Sequence, residues 1–326
     1  MDDPLEFFAK HYQPHAREIW SETSLRGMAA VHAPDALFGK NWSIVRGDAL
    51  VMWARWFVAS LINPSQFTNP EPGQYVKLYR SVNNLIDKRY VHSTASQRES
   101  LVEVLVQLVN TEIQRRKRTR RNSYDSVTKR ELMDRAGSPA RCWICGHQFA
   151  TVVVDRFLDD SCTSRIALPE FIDFLRPAGF TESDLSIQVD HVTPVSGGGD
   201  NDDNLRLACG WCNRTKSNHT NLYDVGSNTY RFKHPKLGVL DLPQPFWVVR
   251  VLAITKECQH HDAPACKATT QNAQLYIAPL QEGAMTPPNL SCFCANHDPW
   301  RNHRFILKSE YENGMLKKAI SQQTSF

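Results

Sequence analysis

Asp190 and His191 stand side by side at the head of VDHVTPVSGGGDNDDNLRLACGWCNRTKSN (Val189 to Asn218), which goes on to supply Asn204, a Cys209-x-x-Cys212 pair, Asn213 and Lys216. An imidazole titrates near neutral pH and is suited to take a proton from water. A carboxylate and an amide oxygen are hard donors of the kind Mg²⁺ prefers, an ion that keeps several waters and adds phosphate oxygens to its shell. The set suits hydrolysis of a phosphodiester, in which a base activates water and a cation neutralises charge on the phosphate and the departing oxygen. His191 taken alone would equally suit a structural histidine.

Neighbours on a regular strand face opposite sides, so Asp190 and His191 serve one phosphate only where their strand ends or distorts. Pro194 and the run Gly197 to Gly199 supply that break. Asn204-Leu205-Arg206-Leu207 predicts a second strand, and Cys212 onward a helix on which Asn213 and Lys216, three apart, share a face. Upstream, a short helix after Lys129 leads through Gly137-Ser138-Pro139 into a second pair, Cys142-x-x-Cys145. Two such pairs offer four thiolates to one tetrahedral zinc, which would pin the helix to the hairpin. The separation between the pairs exceeds the usual ~15–20 residues. It holds an insertion of ~40 residues, about 146–187, with a predicted short helix around Phe171 to Leu175, while Cys162 reads as an ordinary small apolar residue.

From Arg141 to about Asn218 the chain resembles the HNH endonucleases, on the four cysteines, the DH pair, DNL and CNRTKSN in that order. The resemblance implies a ββα-metal module inside a zinc-binding frame. It makes His191 the general base, gives Asp190 and Asn213 the catalytic divalent ion, has Asn204 brace the loop and orient His191, and sets Lys216 near the phosphate. The insertion departs from the shortest members, which leaves its role open.

A second segment, LYIAPLQEGAMTPPNLSCFCANHD, repeats Pro194, Asn204, Cys209 and Cys212 as Pro279, Asn289, Cys294 and His297. With Cys258 and Cys266 it forms a second candidate zinc set, Cys258, Cys266, Cys294 and His297, for which Cys292 is an alternative ligand. Counting back from the shared residues puts Leu275 where Asp190 stands and Tyr276 where His191 stands. On that reading the copy is a degenerate ββα-like zinc module used for packing or DNA contact.

Residues 1–125 read as a helical domain, a candidate specificity or partner region. Leu50, Trp53, Phe57 and Leu61 recur at helical spacing until Asn63-Pro64, and Ser96-x-x-Glu99 predicts a capping box opening a helix with Leu101, Val104, Leu105, Leu108, Val109 and Ile113 on one face. Trp20, Trp42, Trp53, Trp56 and Phe57 are expected in its core. That helix runs into Arg115, Arg116, Lys117, Arg118, Arg120 and Arg121, which suit contact with nucleic-acid phosphates or form a solvated helix end. The HNH domain is expected over 126–228 and the C-terminal zinc module over 229–326, giving an α+β protein. With 326 residues, 41% hydrophobic, a net charge of +4 and no apolar run of ~20 residues, a cytoplasmic protein with reduced cysteines is the expectation. The expected activity is metal-dependent cleavage of DNA, by a nicking monomer in restriction or phage defence. A homodimer or partner surface would lie on the N-terminal helices. The competing reading is a zinc-stabilised nucleic-acid-binding or scaffold protein whose HNH module is inactive.

Overall fold

The sequence PFWVVRVLAIT opens with a proline at the first helical turn and carries almost no polar residue, so the helix it forms must be buried on every side. In the computed structural model, which describes residues 3–15, 19–69, 71–116, 124–193, 202–234, 238–260 and 266–323, that helix spans Pro245–Thr255 and buries Phe246, Trp247, Val248, Val249, Val251, Leu252 and Ala253. The other elements arrange themselves around it.

In chain order the helices ahead of it are α1 (Pro4–His11), α2 (Glu22–Ala29), α3 (Trp42–Leu61), α4 (Gln74–Arg89), α5 (Ala95–Arg116), α6 (Ser126–Ala136) and α7 (Thr151–Leu158). Then follow β1 (Phe171–Asp173), α8 (Glu182–Leu185), β2 (Ile187–His191), β3 (Leu205–Cys209), α9 (Gly210–Lys216), β4 (Tyr230–His234), β5 (Gly238–Leu242) and the apolar helix, α10. β6 (Leu275–Pro279), β7 (Leu290–Cys294), β8 (Phe305–Leu307) and α11 (Lys308–Gln323) complete the order. The strands form two-stranded sheets, β1 with β8, β2 with β3, β4 with β5 and β6 with β7, which makes the chain an α+β protein of helices and small hairpins. Among the described residues no helix is long and apolar enough to cross a membrane.

Two cores hold the chain together. Val58, Phe67, Leu78, Val82, Ile86, Val102, Leu105, Val106, Val109 and Ile113 join α3, α4 and α5. The larger core runs from Ile44 and Val45 through Leu132, the cysteines, β2, β3 and α10 to β6 and β7. It passes without interruption from residues before 228 to residues after it.

Several sequence expectations shift here. The aromatic residues Trp20, Trp42, Trp53, Trp56 and Phe57 are exposed and not core. The inner face of α3 carries Ile44, Val45 and Val58 together with charged pairs: Asp48 accepts Arg250 Nη2 at 2.7 Å and the Leu222 amide at 2.8 Å, and Arg55 donates to Asp224 at 2.9 Å and pairs with Glu112 at 3.1 Å. The capping box of α5 is Thr94 with Gln97, two residues upstream of the expected one, with the Thr94 amide on Gln97 Oε1 at 2.9 Å and the Gln97 amide on Thr94 Oγ1 at 3.3 Å. The buried face of that helix includes Val102 and Val106, and leaves Leu101, Val104 and Leu108 exposed.

The expected helix at Phe171 to Leu175 is the strand β1, paired antiparallel with β8 from Phe171 opposite Leu307 to Asp173 opposite Phe305. A fully buried arginine fastens the pairing: Arg304 donates to Asp173 at 3.2 Å, to the Ile277 carbonyl at 2.5 Å and to Asp298. The insertion thereby becomes a staple to the C-terminal strands.

Candidate active site and metal centres

Gly137, at φ 77°, ends α6 and turns the chain into the first cysteine pair. The Cys142 amide donates to the His147 carbonyl at 2.9 Å and the Gly146 amide returns to the Cys142 carbonyl at 2.8 Å, the tight turn that aims both thiols one way. Gly146 has φ +71° and lies so near the Ala273 carbonyl that a Cβ would sit 2.0 Å from it, so only glycine fits where this turn meets the C-terminal strands. Cys209 ends β3 and Cys212 lies in the first turn of α9.

The four sulfurs of Cys142, Cys145, Cys209 and Cys212 lie within 4.8 Å of one another, all buried, with Cys145 and Cys209 at 4.0 Å. A tetrahedron of Zn–S bonds of ~2.3 Å has edges of ~3.8 Å, so the set fits a zinc ion. Hydrogen bonds from Cys142 and the other thiols hold Cys145 well below the usual thiol range. Arg176, stacked 3.9 Å over Trp211, interacts electrostatically with Cys145, Cys212 and Cys209 and sets a cation beside the sulfur cluster. No sequence motif marks it.

The sulfurs and imidazole of Cys258, Cys266, Cys294 and His297 gather in the same way. Cys266 lies 3.8 Å from Cys294, and His297 Nδ1 lies 3.4 Å from Cys294 and 3.7 Å from Cys258. The His260 ring stacks on His297 at 3.9 Å. Cys292 stays outside this set, buried, its thiol pushed up to about 12 by desolvation.

Between the first four cysteines lies the hairpin of β2 and β3, in register from Ile187 opposite Cys209 to His191 opposite Leu205. His191 is the last residue of β2. Its partly exposed side chain stands where the strand ends, which is the condition for it to share a substrate with Asp190. The Asn204 side chain closes the turn by accepting from the Thr193 amide at 2.8 Å and donating to the Thr193 carbonyl at 2.6 Å. Pro194 and Gly197 to Gly199 lie outside the described residues.

Asp190 is buried and held from two sides, accepting Trp143 Nε1 at 3.0 Å and Lys216 Nζ at 2.8 Å. Burial pushes its carboxyl above the usual range and Lys216 pulls it back. Lys216, itself buried, also donates to the His191 carbonyl at 2.5 Å, so its ammonium lies under the Asp-His pair. Asn213 donates through its amide nitrogen to Gln188 at 2.7 Å, a bond that leaves its oxygen, the atom a metal would use, out of the contact. A carboxylate on β2 and an amide oxygen on α9 fit a hard divalent ion in donor type. Trp143 was not legible as a site residue, because nothing in its spacing from Cys142 says which carboxylate its indole reaches.

The C-terminal copy follows the same plan. Arg141 bridges Gln148 around the first cysteine pair, as Glu257 bridges Thr269 around the second. The Trp143 amide donates to the Leu207 carbonyl at 3.0 Å, and the Gln259 amide to the Cys292 carbonyl at 2.8 Å, each acceptor two residues before a cysteine of its set. Asn289 closes the second turn, accepting from the Leu280 and Gln281 amides at 3.1 and 3.0 Å.

Register corrects the expected correspondence. Leu275 pairs with Cys294 and Pro279 with Leu290, so Leu275 matches Ile187, Ala278 matches Asp190 and Pro279 matches His191. Tyr276 stands at Gln188. Counting back failed because residues 192–204 join β2 to β3 whereas the shorter stretch 280–289 joins β6 to β7. Turns occupy the place of α9, so the copy has neither carboxylate, base nor the helix that carries the amide.

Of the basic run, Arg115 and Arg116 end α5 and pair with Glu112 at 3.0 and 3.9 Å. Lys117, Arg118, Arg120 and Arg121 lie outside the described residues.

Residues 179–219 match the family model described as HNH endonuclease. The chain therefore carries an HNH domain, and the matched stretch covers β2, β3 and α9 with Asp190, His191, Asn204, Asn213 and Lys216. Searches of curated proteins and of solved structures returned no match.

Proposed function

We propose that the protein is a DNA endonuclease that hydrolyses phosphodiester bonds at the centre formed by Asp190, His191 and Asn213. The observation that carries this reading is the arrangement of Asp190 and His191 at the very end of β2, against α9, within the stretch that matches the HNH family. The base and the buried carboxylate meet one substrate at the point where strand alternation stops.

His191 takes the proton of a water whose oxygen attacks phosphorus, and the bond from phosphorus to the departing sugar oxygen breaks. Asp190 and Asn213 would hold a divalent ion, Mg²⁺ in this proposal, which would supply positive charge for the phosphate and the leaving oxygen. Lys216 positions the pair from beneath through Asp190 and the His191 carbonyl. Asn204 fixes the turn that follows His191. The four-cysteine set, with zinc, ties β3 and α9 to the knuckle, and Cys258, Cys266, Cys294 and His297 hold a second zinc. Each chain then has one cutting centre and breaks one strand per visit, since Ala278 and Pro279 leave the second hairpin without acid or base.

Supercoiled plasmid, linear duplex, single strands and RNA incubated with Mg²⁺ or with chelator test the activity. His191→Ala, with zinc content and melting unchanged, should lose ~10²–10⁴-fold in rate on DNA. Equal cleavage by the variant overturns the role of His191, and cleavage of RNA alone overturns the substrate. The biological setting taken is restriction or phage defence, which rests on the DNA-cutting chemistry; a fall in phage plating with wild type but not with His191→Ala tests it.

A further inference from the structure

Helix α3 buries charged residues beside Ile44, Val45 and Val58. Between Gly47 and Leu61 its charged residues are Asp48 and Arg55, and both point inward, Asp48 to Arg250 and Leu222 and Arg55 to Glu112 and Asp224. Its outer face carries Leu50, Trp53, Trp56 and Phe57, at 64%, 58%, 65% and 62% exposure. Single exposed apolar side chains are ordinary, but four on one face of one helix, three of them aromatic, form a patch of the kind that marks an interface.

We propose that this face of α3 is the contact between two copies of the chain. Three aromatics exposed to this degree present ~100–150 Å² each, and Leu50 raises the patch to roughly 500 Å². Two such faces hide about 1,000 Å² between them, the size at which a specific interface begins. The face has no charge between Gly47 and Leu61 with which to select a partner of opposite sign, whereas a two-fold contact needs none: antiparallel copies of α3 set each apolar ridge on its own equivalent without like-charge repulsion. The pairing also supplies what a single chain lacks. Resting on the nuclease reading, it brings a second cutting centre for the second DNA strand, which the inert Ala278–Pro279 hairpin cannot provide.

Sedimentation equilibrium on the full, zinc-loaded chain tests it. Wild type should show a concentration-dependent species at twice 37.2 kDa, and Trp53→Glu with Trp56→Glu should weaken its association ~100-fold or more. Both substituted positions face solvent, so circular dichroism and zinc content should stay those of wild type; Leu50→Arg gives an independent variant should the double one misfold. A monomer at every concentration overturns the proposal even if it cuts DNA. So does a dimer unaffected by the α3 variants, or one abolished by deleting residues 1–20 with α3 intact. A dimer that fails to cut any nucleic acid leaves the contact standing and overturns the nuclease reading instead.

Discussion

Trp143, lodged between Cys142 and Cys145, donates its indole N–H to Asp190 Oδ2 at 3.0 Å. The same residue gives its main-chain amide to Leu207 on the neighbouring strand at 3.0 Å. The knuckle thus holds the buried carboxylate by one side chain and the strand partner by one backbone bond. Trp143→Phe keeps the ring and removes the N–H. A hydrogen bond to a charged group contributes about 1.5–3 kcal/mol, so the variant should need ~10-fold or more divalent ion for half-maximal cleavage while retaining zinc. An unchanged ion titration would free Asp190 from the knuckle.

Lys216 offers a contrast, because its removal leaves a buried carboxylate without its cation. Lys216→Met should lower stability by about 3–5 kcal/mol, the usual loss when one partner of a buried pair is deleted. Denaturant unfolding reads the loss, and added Mg²⁺ should restore part of it by supplying charge to Asp190. A variant as stable as wild type would show that Asp190 is neutral in the folded chain.

The two thiol clusters predict two zinc ions per chain by elemental analysis. Cys294→Ser should remove one of them and Cys292→Ser neither, because the Cys292 sulfur lies outside the set that includes His297. Cys209→Ser should unfold β3 and α9 together, since structural zinc binding is folding free energy. One zinc in wild type would refute the second centre.

Replacing Lys117, Arg118 and Arg120 with Ala tests the basic run. If these residues contact DNA phosphates, affinity should fall for all sequences and the salt dependence should flatten by roughly one unit of slope per lost contact. The cut position should not move, because phosphate contacts orient the protein without reading bases. An identical slope in a salt titration returns the run to a solvated helix end.

The candidate site was legible where it is local. Asp190, His191, Asn204, Asn213 and the cysteine spacings mark a strand, a turn and a helix within thirty residues, and the structure folds them so. Partners distant in sequence were not legible. Phe171, Ile172 and Asp173 form a strand only because β8 arrives more than a hundred residues later, and α3 shows its aromatics to solvent because Asp48 and Arg55 find Arg250, Glu112 and Asp224 on other elements. The internal repeat was visible in residue identities, but its alignment was not: a shorter loop shifts the first strand, and register alone reveals Ala278 and Pro279 in the places of Asp190 and His191.

Helix α10 packs into the core that the β2–β3 hairpin shares with β6 and β7, and it is apolar on nearly every side. A fragment trimmed to residues 126–228 would lose that helix and expose the surfaces it covers, however complete its set of candidate site residues. The C-terminal hairpin is therefore no dispensable appendage. It is part of the foundation on which the HNH hairpin stands, so any attempt to miniaturise or transplant this module must carry α10 with it or replace what it fills.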